Sequence, residues 1–85
     1  MNEVALAEAM VIVNAAATLR EAASCLRERF AALRIVVVDA IDMRGETPAA
    51  GSATRQLYYG ASDGHCWAVT GDAASASALF IAERG

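Results

Sequence analysis

Three acidic side chains stand close together in the sequence and could bind a hard cation. Asp39, Asp42 and Glu46 follow an apolar run, and carboxylate oxygens are the ligands that Mg²⁺ and Ca²⁺ prefer. The spacing is not that of an EF-hand loop, and Arg44 lies among the carboxylates. These residues are therefore a candidate metal site, with pairing of Asp39 or Asp42 to an arginine as the alternative.

A histidine and a cysteine are adjacent at His65 and Cys66. In a β-strand their side chains would leave on opposite faces, so His65 could not readily take the thiol proton. Cys66 is then expected to be a small buried hydrophobe and His65 a surface residue beside a turn. No phosphate-binding glycine pattern or nucleophile elbow occurs. The sequence therefore predicts a protein without enzymatic activity and without a cofactor.

Aromatic residues form a third candidate, a binding surface made of Tyr58, His65 and Trp67. Asp63-Gly64 separates two strand-like runs, 55–62 and 65–70, which is typical of a hairpin with a two-residue type I′ turn. That register puts Gly60 opposite Trp67, whose ring would cover the bare glycine. Tyr58 and Trp67 would lie diagonally on one face, within aromatic reach. The alternative is that this face is the core side of the sheet.

The chain is organised around residues 33–41, which include four consecutive β-branched residues at 35–38. Such residues favour strands, and an unbroken apolar run indicates burial on both faces. Residues 43–54 are rich in Gly, Pro, Ser and Ala and predict a long loop. Asp72 is a good N-cap for a second helix over residues 73–83.

Residues 3–32 predict one long helix, since good helix formers dominate and neither Gly nor Pro interrupts them. One stripe steps by four and three as a heptad seam: Ala5, Ala9, Ile12, Ala16, Leu19, Ala23, Leu26, Phe30 and Leu33. The first half is apolar all round, which indicates burial all round. Val4, Leu6, Met10 and Val13 are accordingly predicted to form an interface. The expected fold is a single α+β domain over residues 1–85, with order α-β-β-β-α and a three-stranded antiparallel sheet.

Composition favours self-association. The 85 residues are 56% hydrophobic and 20% charged, more apolar sequence than a chain that buries only ~60–65% of its unfolded surface should need. A homodimer is the simplest way to bury the excess. Net charge is −3 and the basic residues are seven scattered arginines, so no nucleic-acid partner is expected. The run from Val4 to Leu19 is too short and too polar for a membrane span, and the expected location is the cytoplasm.

Two stretches, VDAIDMRGETP at 38–48 and ASDGHCWAVT at 61–70, resemble small uncharacterised bacterial proteins associated with nitrogen-fixation gene clusters. The resemblance covers roughly the second half of the chain and implies an accessory role beside metalloenzyme assembly. The leading hypothesis is a non-enzymatic accessory or interaction protein. A small-molecule or metal-binding domain is the second, and an enzyme completed at a dimer interface is the third.

Overall fold

The computed structural model describes residues 1–62, 64 and 66–84. Over these residues the chain forms two helices, five strands and two short 3₁₀ turns. The helices are α1 (Glu3–Ala15) and α2 (Leu19–Arg29). The strands are β1 (Arg34–Val37), β2 (Ala50–Gly51), β3 (Arg55–Ser62), β4 (Trp67–Thr70) and β5 (Ala78–Glu83), with 3₁₀ turns at Ile41–Met43 and Ala73–Ser75. The α+β class is confirmed, while the three-stranded antiparallel sheet and the α-β-β-β-α order are wrong.

The sheet is mixed. β5 lies between β1, which runs parallel to it, and β3, which runs antiparallel. The other edge of β3 pairs with β2 near Leu57 and with β4 beyond Tyr59. Both helices pack on one face of this sheet, and the opposite face is covered in part by the 3₁₀ turn that carries Met43.

The predicted second helix is instead the central strand β5. Asp72 does cap a helical turn, accepting a hydrogen bond from the Ala74 N–H at 3.0 Å, but that turn ends at Ser75. Residues 78–82 are all buried, with Leu79 and Ile81 toward the helices and Phe80 on the opposite face. A strand buried on both faces shows no polar alternation, so its pattern resembles that of a buried helix.

The predicted single helix is broken between Ala15 and Leu19. Thr18 caps α2 by accepting a hydrogen bond from the Glu21 N–H at 3.1 Å, and the Glu21 carboxylate reaches back to the Ala17 N–H at 3.3 Å. This arrangement is close to a capping box, and it starts a new helix where propensity alone would continue the old one. The heptad seam nevertheless faces inward, because eight of its nine residues, all but Ala5, belong to or pack on the helix-side core.

The strand predicted over residues 33–41 is shorter and lies at an edge. β1 spans Arg34–Val37, and Ile41 belongs to a 3₁₀ turn. Ile35 is buried toward the helices and Val36, on the opposite face, is half-buried, whereas Val37 at the end of the strand is 44% exposed. Burial on both faces therefore holds only for the middle of the strand. The predicted loop at 43–54 contains the short strand β2 and the buried Met43.

The hairpin register differs from the predicted one by two residues. Ser62 pairs with Trp67 and Gly60 pairs with Val69; Asp63 and His65 lie outside the described residues. A shift of two leaves the side chains of β3 and β4 on their predicted faces, because the pleat repeats every two residues. The ring that covers Gly60 is therefore Phe80 of β5, and the predicted Gly60–Trp67 pair is wrong.

Candidate functional site

The open face of the sheet carries a row of three aromatic rings. Phe80 pairs in register with Tyr58, and its ring meets Trp67 edge to face with centroids 6.5 Å apart. The Arg34 guanidinium lies over the Trp67 ring at 5.9 Å. Phe80 thus lies between the two predicted partners. Sequence reasoning missed it because residues 73–83 were assigned to a helix.

Tyr58 and Trp67 differ in accessibility. Trp67 is 42% exposed, whereas Tyr58 is 3% exposed and its hydroxyl donates to the Gln56 side-chain oxygen at 2.7 Å. A buried phenol with a partner serves mainly as packing. His65, the third predicted residue, lies outside the described residues. Of the two described members, Trp67 is the one accessible to a binding partner.

The three predicted metal ligands do not form a group. Among the described residues, no three acidic, His or Cys side chains lie close enough together to hold a metal ion. Asp39 precedes the 3₁₀ turn, Asp42 lies within it, and Glu46 follows it. The alternative pairing with arginine is also not seen, since the ion pairs in the described part of the chain are Glu8–Arg29 and Glu83–Arg55.

A cleft brings together residues from two of the predicted sites. Glu46 and Tyr58 both line a cavity of about 490 Å³ beside the 3₁₀ turn, together with Arg44, Gln56 and Arg84. Arg84 was not a predicted site residue. It comes directly after β5, and only the pairing of β5 with β3 brings it near Gln56.

The cysteines are both exposed. Cys66 was expected to be a small buried hydrophobe, and that expectation is wrong because the residue precedes β4 instead of lying within it. Cys25 lies on the outer side of α2.

The four predicted interface residues of α1 divide into two groups. Val13 is buried in the chain's own core, and Leu6 and Met10 pack partly against it. Val4 is 78% exposed and Val11 is 67% exposed. Ala7, which lies between them, is exposed as well. Val4, Ala7 and Val11, spaced by three and four residues, form one outward stripe, here called the α1 stripe. Ala7 and Val11 were missed although the same spacing rule could have found them.

One arginine fixes α1 to the sheet. The Arg55 guanidinium donates hydrogen bonds to the carbonyl oxygens of Val13, Ala16 and Ala17. These are carbonyls at the C-terminal end of α1, where the helix leaves acceptors unpaired and favours positive charge. Burial raises the pKa of the neighbouring Tyr59 above its usual 10.0, and the Glu3 carboxylate adds to the effect. The Arg55 contacts stabilise the end of α1, and Tyr59 lies on the same, helix-facing side of the sheet.

No helix of the described residues is both long and apolar enough to cross a membrane. Comparison with curated proteins found no match, and comparison with solved structures found none either. The model of a family of unknown function, DUF6129, matches residues 8–84. This range includes most of α1, all of α2 and the whole sheet. The chain therefore belongs to the DUF6129 family of unknown function.

Proposed function

We propose that this protein is a non-enzymatic interaction protein that forms a homodimer through the α1 stripe. The observation that carries the proposal is the exposure of Val4 and Val11, at 78% and 67%, on one line of a helix. Aligned apolar side chains on the outside of a helix are a common helix-packing surface. The proposal places the molecule in the cytoplasm, without a nucleic-acid partner.

The α1 stripe is self-complementary. Ala7 lies between the two valines, so a two-fold axis near Ala7 would set Val4 of one copy against Val11 of the partner subunit. A two-fold contact uses the same patch on both copies, and the small alanine lets two helices approach closely. Glu8 lies beside the stripe but is already paired with Arg29 of its own chain at 2.8 Å. This pairing reduces the charge repulsion that Glu8 would add to the contact.

Size-exclusion chromatography with light scattering tests the dimer. The wild type is expected to have twice the chain mass at micromolar concentration, and the double variant Val4→Gln/Val11→Gln is expected to be a monomer. Val37→Gln is the matched control, since it removes an exposed valine that lies on β1 instead of the stripe. A monomeric wild type, or a double variant that remains dimeric, would refute the proposal.

The pathway is a separate part of the proposal. We infer an accessory role beside metalloenzyme assembly in nitrogen fixation, and the resemblance at residues 38–48 and 61–70 supports it. Affinity capture from the native host, grown with and without fixed nitrogen, tests this role. Capture of nitrogenase-assembly proteins only during fixation is expected, and an identical set of captured proteins under both conditions would contradict it.

A further inference from the structure

We propose that the cleft beside the 3₁₀ turn at Ile41–Met43 binds a small organic anion. The ligand class is a monocarboxylate that carries an apolar group. The cleft opens on the sheet face that the helices leave uncovered. Its walls come from three places in the sequence: the turn at residues 40–46, the start of β3, and Arg84 after β5. A cavity of about 490 Å³ falls within the usual range of small-ligand sites. The inference is independent of the dimer.

The charge of the cleft is opposite in sign to that of the whole chain. The chain carries −3, yet Arg44, Arg84 and Glu46 together give this cavity a formal charge of +1. Neither arginine takes part in an ion pair within the described part of the chain. The Arg84 guanidinium donates one hydrogen bond within the described part of the chain, to the Ser52 carbonyl at 3.0 Å. Most guanidinium donors thus remain available, and their planar geometry matches a carboxylate.

The floor of the cleft adds a neutral donor. Tyr58 donates its hydroxyl hydrogen to the Gln56 side-chain oxygen at 2.7 Å. That bond orients the Gln56 amide so that its nitrogen, a donor of two hydrogens, is directed away from the phenol. A ligand carboxylate could therefore accept from Gln56 as well as from the arginines, while Ile41, which is 75% exposed and lines the cleft, supplies apolar contact.

The turn that carries Arg44 is held in place before any ligand binds. Met43 is buried in the core cluster of the open face with Tyr58 and Phe80. The Arg44 N–H donates to the Ile41 carbonyl at 3.3 Å, and the Glu46 N–H to the Met43 carbonyl at 3.0 Å. Gly45 has φ +86°, a conformation that glycine adopts without strain. Such preorganisation lowers the entropy lost on binding.

The mixed lining selects among anions. A net charge of +1 balances one negative charge, and Glu46 would repel part of a dianion such as hydrogen phosphate. Ile41, which is 75% exposed at the cleft, would be desolvated by an apolar group but would gain nothing from a small inorganic ion. The ligand class expected is therefore an organic monocarboxylate, for which benzoate is a suitable probe.

Titration of ¹⁵N-labelled protein with benzoate, followed by NMR, tests the site. Shifts are expected at the Gly45 backbone amide and the Gln56 side-chain amide, with a dissociation constant on the order of 1 mM. Arg44→Gln and Arg84→Gln should each weaken binding by about 10-fold, the effect of one charge-assisted contact. Arg20→Gln is the matched control, because Arg20 is an exposed arginine of α2 outside the cleft.

Two further probes separate the ligand classes. Benzyl alcohol has the apolar group without the charge, and inorganic phosphate has the charge without the apolar group. Weaker binding of both than of benzoate supports the proposal. The proposal would be overturned if benzyl alcohol bound as tightly as benzoate or if phosphate bound more tightly. It would also be overturned if benzoate caused no shifts at Gly45 and Gln56, or if Arg20→Gln weakened benzoate binding as much as Arg44→Gln and Arg84→Gln do.

Discussion

Among the glycines, Gly60 is the residue at which an added methyl group should lower the free energy of unfolding most. A Cβ there would lie 2.6 Å from the Phe80 Cζ atom and 2.9 Å from its Cε2 atom. Phe80 is itself buried, with Trp67 edge-on to its ring, so the ring has little room to move. Gly60→Ala is expected to lower the free energy of unfolding by about 1–3 kcal/mol, as overpacking does, measured by urea denaturation.

Gly71 provides the control for that substitution. A Cβ at Gly71 would meet no heavy atom within 4 Å, so Gly71→Ala should change the stability by less than about 0.5 kcal/mol. Equal effects of the two substitutions would show that the Phe80 contact does not determine the choice of glycine at residue 60.

Asp72 links stability to pH through its cap. Hydrogen bonds from the Ser75 hydroxyl and then from the Ala74 N–H lower the pKa of this carboxyl below its usual 3.8. Folding therefore favours the carboxylate, and the stabilisation is present above pH 3.8 and lost as pH falls through the lower pKa of the folded state. Asp72→Asn is expected to destabilise the protein at pH 7 and to differ little from wild type near about pH 2.

Denaturation of both proteins at the two pH values measures this difference. Asp42→Asn is the control for loss of one negative charge, since the Asp42 side chain accepts no hydrogen bond in the described part of the chain. A gap between wild type and Asp72→Asn that stays constant, or widens in acid, would contradict the assigned role of the cap.

Among the elements, α1 depends on β3 for its C-terminal end. Arg55 satisfies three carbonyls there. A hydrogen bond from a charged group contributes roughly 1.5–3 kcal/mol to stability, and bonds that share one guanidinium are not additive. Arg55→Met, which keeps the apolar stem, is expected to lower the free energy of unfolding by about 2–3 kcal/mol and to speed amide exchange in the last turn of α1.

The comparison for Arg55 is Arg20→Met, on the exposed side of α2. It should change the stability by less than about 0.5 kcal/mol. If the amides in the last turn of α1 exchange as slowly in Arg55→Met as in Arg20→Met, then the Arg55 guanidinium does not stabilise the C-terminal end of α1.

Elements with a strong local pattern are the predictable ones. β1 lies within the predicted strand at 33–41, and β3 and β4 lie on either side of Asp63-Gly64, although β4 begins two residues later than predicted. The prediction for β5 is wrong because burial on both faces leaves its sequence without a hydrophobic period, and its alanines favour a helix. The break at residues 16–18 is predictable from Thr18 and Glu21, since their spacing fits a capping box.

The candidate sites follow the same division. The outward part of α1 is predictable from spacing, because Val4 and Val11 are one heptad apart. The cleft is not, because Arg84 reaches it only through the pairing of β5 with β3. Likewise the aromatic row requires Phe80, whose strand has no readable signal. When residues come into contact only through long-range strand pairing, their local sequence does not indicate that contact.

For the whole molecule, the proposed dimer predicts a stability that depends on concentration. Association of folded chains stabilises them against unfolding, and a rise in protein concentration of roughly 100-fold should add about 2.7 kcal/mol per dimer. The wild-type Tm should therefore rise between dilute and concentrated samples in scanning calorimetry. Val4→Gln/Val11→Gln should show the same Tm in both, and a wild type that behaves identically would contradict association.

The position of β5 has a consequence for biosynthesis. β1 and β3 do not pair with each other; each pairs with β5, which is translated after both. A nascent chain can form its helices and pair β3 with β2 and β4 early, but β1 cannot join the sheet until β5 has left the ribosomal exit tunnel. Ile35, Leu57 and Tyr59 therefore stay incompletely covered until β5 emerges, and until then the ribosome-bound chain should be a substrate for chaperones that bind exposed apolar segments.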